Sequence, residues 1–441
     1  MPTARRLNIP GAILIAAVTF NAVLAIINAH VILLTPAAAI AVQSGLTGAA
    51  FSYAFLRSRN EMAPWYLLLS LLVLLFLIRS VLMFFLIEQP EPKYVAEVVT
   101  IPIFVLLGMT CKERDLDRPI LIIFAIVTGV GFIEAFFPAI YSDLFNITSY
   151  YIQTRGYAET NFWAAGSTLF VSATRPNERF FDFLDAPRMS SIFLEPVSLG
   201  NFVTIMGAYF TVRFRDLPVR VVAAGLPGLV FLLIGCDGRL ATISIIFVCC
   251  VCFIAPSLPR YSKIAYLPGI LLIGGVFIFV TNANPGDDFP GRVANTFDVL
   301  FRQYTLANWL GLSNNFTYDA ADSGVAYLIA TQSLIGTALL WIFITISARQ
   351  TSAIQVKYTH ALLLYISLTM MVSYSFLTIK TAALAWFIHG SLQRLQTKSL
   401  RNLKTENIYV RTGLFGRRNP RPYRTPAAPV GLTEKANLQK L

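Results

Sequence analysis

The stretch APRMSSIFLEPVSLGNF, residues 186–202, sets Arg188 seven positions before Glu195 at the start of a long apolar run. A guanidinium fork grips phosphate oxygens two at a time, and a carboxylate takes a proton from a hydroxyl. On a helix the two would stand about two turns apart on one face. Pro196 breaks or kinks such a helix unless the helix starts there. Ser190 and Ser191 add hydroxyls nearby. The plainer alternative is an Arg–Glu surface pair at a helix mouth.

Two further stretches carry the same mixture. In GCDGRLATISII, Asp237 and Arg239 sit in a tight turn before another apolar run. Gly235 and Gly238 permit a sharp reversal there, and an arginine at a helix start suits an oxyanion such as phosphate. The competing reading is a turn with a snorkelling arginine. The segment from Asn284 to Gly336 holds Arg292, Arg302, Tyr318 and five aspartates: Asp287, Asp288, Asp298, Asp319 and Asp322. Asp322-Ser323 also fits a helix N-cap, the simplest explanation of Asp322. The Asp287-Asp288 pair reads as a solvated turn and not as a metal site.

The elements that must position these residues are membrane helices. Of the 441 residues, 56% are hydrophobic and 13% are charged, against about 25% charged in soluble domains. Apolar runs fall at about 9–29, 31–56, 65–87, 95–110, 120–140, 191–212, 221–235, 240–255, 264–281, 324–347, 360–378 and 380–394. A bilayer crossing takes about 20 such residues, and backbone in lipid is satisfied only in helices or closed barrels. The runs are too continuously apolar for barrel strands. The expected fold is therefore an all-α polytopic membrane protein of about twelve spans. The first run, after Arg5 and Arg6, is read as a retained span and not as a cleaved signal.

With the N-terminus inside, fourteen basic residues fall in inner segments, eleven in the tail from Arg394, and nine outside. The acids run the other way, seven inside and sixteen outside. This bias puts both termini in the cytoplasm. Two long loops, about 141–190 and 282–323, then lie outside. Aromatic pieces of the first, NFWAAGSTLFV and NERFFDFLDAPRM, suit a helix in the headgroup layer. The expected domains are a helical bundle over 1–394 and a basic, proline-rich disordered tail over 395–441. The net charge of +12 thus reads as membrane orientation and not as nucleic-acid binding.

Several classes lack support. No GxGxxG or GxxxxGK[ST] motif occurs, and no inner loop is long enough for a nucleotide-binding domain. The histidines His30, His360 and His389 and the five cysteines form neither a zinc pattern nor a disulfide framework. No metal or cofactor is expected. Arg79 and Glu134 are costly inside spans, and a mutual pair is one way to satisfy them.

The pieces RMSSIFLEPVSLGNF, GRLATISII and GLSNNFTYDAADSGVAYLIATQSLIG, in that order, resemble the Wzy-type polysaccharide polymerases, relatives of the O-antigen ligases, across roughly 120–347. The look is nearest to xanthan-type exopolysaccharide polymerases. The resemblance implies a GT-C-like fold that transfers glycan from undecaprenyl pyrophosphate at the periplasmic face of a bacterial inner membrane. It implies that Arg188 and Arg239 neutralise the diphosphate leaving group. The other expected substrate contacts are Arg292, Arg302, Asp237, Tyr318 and Asp319. Ligases of this superfamily carry a histidine in the second outer loop, where this chain has Asn314, Asn315, Tyr318 and Asp319. The candidate bases are Glu195 and then Asp322.

The leading expectation is a polymerase of lipid-linked repeat units, with a chain-length or export protein as a partner. The alternatives are an O-antigen ligase and a lipid-linked oligosaccharide flippase or other transporter.

Overall fold

The computed structural model describes residues 7–86, 91–112, 115–158, 168–170, 173–174, 180–181, 187–286, 288–313, 322–350 and 352–394. They belong to one compact unit, Met1–Thr397. Among them the regular structure is helical throughout, with no strand.

Twelve long helices form where the apolar runs lie. They are α1 (Ile9–His30), α2 (Pro36–Leu56), α3 (Ala63–Phe85), α4 (Pro92–Thr110) and α5 (Asp117–Phe136). Two short helices, α6 (Pro138–Phe145) and α7 (Ile147–Arg155), then precede α8 (Pro196–Arg213), α9 (Val219–Cys236), α10 (Arg239–Ile254) and α11 (Tyr266–Thr281). After the short α12 (Phe289–Asp298) and α13 (Leu306–Trp309) come α14 (Gly324–Ser347), α15 (Ala353–Met370) and α16 (379–394). Among the described residues, nine helices are long and apolar enough to cross a membrane. The chain is a membrane-embedded helical protein.

The three long helices outside that set, α8, α15 and α16, are, like α4, mostly enclosed. Nearly every residue of α8 and α16 is buried. Protein and not lipid surrounds them, so they carry Asn201, Thr204, Gln355, Thr359 and Ser391 in the interior. By contrast α3 and α11 turn Leu67, Leu74, Val81, Leu272, Phe279 and Val280 outward, the face a lipid-contacting helix presents. The apolar run at 360–378 misplaces its helix for the same reason. Ser352 caps α15 by accepting from the Gln355 N–H, and the helix ends at Met370. A turn over 371–378 then leads to α16.

α14 is broken. Ser333 takes φ +66° in mid-helix, and its hydroxyl caps the second half by accepting from the Gly336 N–H. Gly311, itself at φ +70°, packs on Ser333: a Cβ there would lie 2.7 Å from the Ser333 nitrogen. Arg79 of α3 donates through Nε to the Gly311 carbonyl and lies over the Tyr94 ring. Arg79 therefore does not pair with Glu134. Glu134 instead accepts the backbone N–H groups of Ser190 and Ser191, at 2.6–2.9 Å, and fastens the segment that leads to α8.

Candidate functional site

No helix runs from Arg188 to Glu195. The chain makes a single 3₁₀ turn, Ser191–Phe193, with Ser191 and Leu194 at positive φ. α8 then begins at Pro196, with Glu195 at its N-cap. Proline at the first helical position removes an N–H that would have no partner. Its position there frees the Glu195 side chain to leave the helix axis.

That side chain is the centre of a charge cluster. Oε1 accepts from the Tyr151 hydroxyl at 2.6 Å and from Arg155 Nη1 at 3.1 Å. Oε2 accepts from Lys380 Nζ at 2.6 Å and from the Ser198 hydroxyl at 2.8 Å. Lys380 also donates to the Phe193 carbonyl at 3.2 Å. Burial by itself would raise the Glu195 carboxyl, but Lys380 and Arg155 outweigh it and hold the group at about 2. Two cations around one carboxylate leave one positive charge over. The Lys380 side chain is 2% exposed, whereas that of Arg155 is 37% exposed and faces out of the cluster. Arg155 also lies over the Tyr151 ring, 4.6 Å from its centroid.

A second carboxylate stands close by. Glu97, buried near the start of α4, accepts from the Tyr327 hydroxyl at 2.6 Å, and its charge is balanced by Lys93 Nζ at 4.0 Å, so the excess of one positive charge remains. The Tyr327 ring stacks on Tyr374 with centroids 4.4 Å apart. Tyr374, in the turn before α16, feels the charges of Glu97, Arg155 and Glu195 and so joins the two clusters. The site thus draws on the beginnings of four helices, α4, α8, α14 and α16, all at one end of the bundle. Each helix start carries a partial positive charge of about half a unit. With Arg155 this makes a place suited to an anion, walled by tyrosines.

The remaining sequence candidates divide. Arg188 donates through Nε to the Cys236 carbonyl at 3.1 Å, and Met189 N–H bonds the Gly235 carbonyl at 2.8 Å. Arg188 is therefore seated on the turn that carries Asp237 and Arg239. It does not pair with Glu195, so the simple Arg–Glu surface pair is not formed. In that turn the reversal residue is Asp237, at φ +45°, and not a glycine. Gly235 is needed for space, because the Met189 methyl fills the position of a Cβ. Asp237 accepts the backbone N–H groups of Phe180 and Phe181 at 2.9–3.3 Å, a structural use of its carboxylate. Arg239 is the first residue of α10.

In the second outer segment, Arg292 lies 4.0 Å from Asp322. The cap of α14 is Ser323, whose hydroxyl accepts from the Ala326 N–H, and not Asp322. Arg302 pairs with Asp298 one turn away and is 81% exposed, which sets it apart from the clusters. Tyr318, Asp319 and Asp287 lie outside the described residues, as does most of the aromatic stretch 159–186.

Sequence reasoning missed Lys380 and Arg155. Each left a signal: Lys380 is a lone lysine between two apolar runs, where lipid would not tolerate it. Arg155 directly follows a tyrosine-rich helix turn, YYIQTR. All five cysteines are free thiols, and among the described residues no group of three metal-binding side chains gathers.

An all-helical, membrane-embedded bundle with a buried Glu–Lys–Arg cluster at one end is the class that fold and site define. No protein-family model, curated protein or solved structure matches the chain.

Proposed function

We propose that this protein is a membrane glycosyltransferase that polymerises undecaprenyl-pyrophosphate-linked oligosaccharide repeat units, and that its twelve long helices all cross a bacterial inner membrane in a GT-C-like arrangement. Both termini are cytoplasmic in this reading, as the charge bias requires, and the Glu195 cluster faces the periplasm. The observation that carries it is the excess cation, Arg155, set among four helix starts beside Glu195 and a wall of tyrosines. A diphosphate needs positive charge and N–H donors, and a sugar offers faces for rings and hydroxyls for carboxylates.

The chemistry divides among the residues. An acceptor hydroxyl oxygen bonds the anomeric carbon of the donor sugar while the bond from that carbon to the phosphate oxygen breaks. The lipid diphosphate leaves with the electron pair, and Arg155 meets its charge. Glu195 carries four hydrogen bonds and is held ionised at about 2. It is too weak a base to take the acceptor proton, and it serves as a positioning residue that holds Arg155, with Lys380 balancing its charge. The proton acceptor is then Asp322, two positions before Gly324, where a Cβ would come 2.5 Å from the carbonyl of Ser373, the residue before Tyr374. Arg188, seated on the turn that leads to Arg239, offers with it positive charge for the second lipid-linked chain.

Purified protein in proteoliposomes, given lipid-linked repeats and no partner, tests the reading. A ladder of glycan lengths with release of lipid diphosphate is expected. A single transfer to lipid A-core would instead make it a ligase, and transbilayer movement without new bonds would make it a transporter.

A further inference from the structure

At the opposite end of the bundle from Glu195, a cavity of about 250 Å³ opens where four segments meet. Its polar wall is Asn8 before α1, Arg57 and Arg59 after α2, Lys112 and Asp115 after α4, and Arg394 at the end of α16. α4 and α16 both begin at the Glu195 end and finish here, so the cavity sits at the face that the charge bias assigns to the cytoplasm.

Among the described residues, four cations and one carboxylate line this space, an excess of three positive charges over a small volume. Pockets for drug-sized ligands run to roughly 300–1,000 Å³, so the cavity suits a group about the size of a phosphodiester. Arg394 is engaged in the fold, since its Nη1 donates to the carbonyls of Thr110 and Cys111 at the end of α4. Arg57, Arg59 and Lys112 are different: all three are exposed, and none makes an ion pair among the described residues. Arg57 lies over the Tyr53 ring, 5.9 Å from its centroid, which holds the guanidinium on the cavity wall. A positive-inside bias by itself needs charge only in the loops. It does not require cations from α2, α4 and α16 to converge on one concavity at headgroup level.

We propose that this pocket binds the phosphodiester headgroup of an anionic phospholipid of the cytoplasmic leaflet. Basic residues near a membrane surface add about a fivefold factor each to the hold on an anionic lipid. Removing Arg57, Arg59 and Lys112 together therefore weakens binding about a hundredfold.

The test uses the full chain in detergent, titrated with short-chain phosphatidylglycerol or phosphatidylcholine, with bound lipid counted by native mass spectrometry. The wild type is expected to retain phosphatidylglycerol over phosphatidylcholine. The triple variant Arg57→Gln, Arg59→Gln, Lys112→Gln should lose that preference about a hundredfold. A control that removes three tail charges, Arg417→Gln, Arg418→Gln, Arg421→Gln, should keep it. Asp115→Asn, which deletes the one carboxylate, should tighten binding, and it decides the matter if the triple variant does not fold. Equal loss in the tail control, unchanged binding in the triple variant, or no tightening in Asp115→Asn overturns the proposal. Displacement of the lipid by inorganic phosphate at equal concentration would overturn it too, because the pocket would then serve a soluble phosphate.

Discussion

Lys380 Nζ lies 2.6 Å from Glu195 Oε2, across 185 positions of sequence, and both side chains are largely buried. One residue opens α16 and the other stands at the mouth of α8, so their contact locks together two helices that protein encloses on nearly every side. Removing Lys380 leaves Glu195, in a poorly solvated place, with only the partly exposed Arg155 to balance it. Lys380→Met should destabilise the protein by about 3 kcal/mol in a reversible detergent unfolding titration. The double variant Lys380→Met, Glu195→Leu should recover part of that loss, because apolar residues of similar volume can replace a buried pair at little cost and the remaining Arg155 is partly exposed to solvent. Equal losses in the two variants would show that packing, and not charge, is responsible.

Protonation gives a second handle. The ordinary glutamate value is about 4.3, and in the folded protein Lys380 and Arg155 hold Glu195 at about 2. A depressed folded value means that its contribution is fully present above pH ~4.3 and is lost as pH falls toward 2. The contribution of the Glu195 carboxylate to the stability gap between wild type and Glu195→Gln should therefore shrink below pH ~4. A gap that closes between pH 6 and 7 would contradict the placement of the two cations.

Glu134 makes a local prediction. Its carboxylate accepts the N–H groups of Ser190 and Ser191, at 2.6–2.9 Å. Hydrogen bonds to a charged group contribute about 1.5–3 kcal/mol each. Glu134→Gln should speed amide exchange at Ser190 and Ser191 by about tenfold or more and leave α16 unaffected. Uniform acceleration across the bundle would mean that Glu134 supports the whole fold and not this segment alone.

Much of the architecture was legible in the sequence, because lipid-facing helices such as α3 and α11 must be apolar along their length. α15 was displaced in the reading because Gln355 and Thr359 face protein, which hydropathy does not register. The chemistry was less legible. Proximity in sequence suggests that Arg188 and Glu195 pair with each other, which the structure contradicts. The true partners of Glu195 come from α7 and α16, and only tertiary packing brings them in. The pair Asp322-Ser323 offers two capping residues in the sequence, and the structure gives that role to Ser323. Arg79 and Glu134 were both flagged as costly in a span. Glu134 is met by the backbone N–H groups of Ser190 and Ser191, and Arg79 Nε by the Gly311 carbonyl while its Nη1 and Nη2 stay buried without a hydrogen-bond partner; no local pattern reveals either loop.

Gly311 illustrates such a dip. Its φ of +70° and the 2.7 Å approach of a Cβ to the Ser333 nitrogen leave no room for a side chain. Gly311→Ala should cost about 2 kcal/mol of stability, read as a lowered midpoint in the same unfolding titration. An unchanged midpoint would mean that the kink at Ser333 yields easily.

The most direct measurement is glycan length made by Arg155→Ala in the reconstituted polymerisation assay, with Arg302→Ala as a surface control. Loss of one preorganised donor to a developing charge typically lowers kcat by about 10²–10³. Arg155→Ala should insert and fold normally yet leave the lipid-linked repeats as single units, while Arg302→Ala should give the full ladder. A full ladder from Arg155→Ala would contradict the assignment of the Glu195 cluster as the diphosphate site.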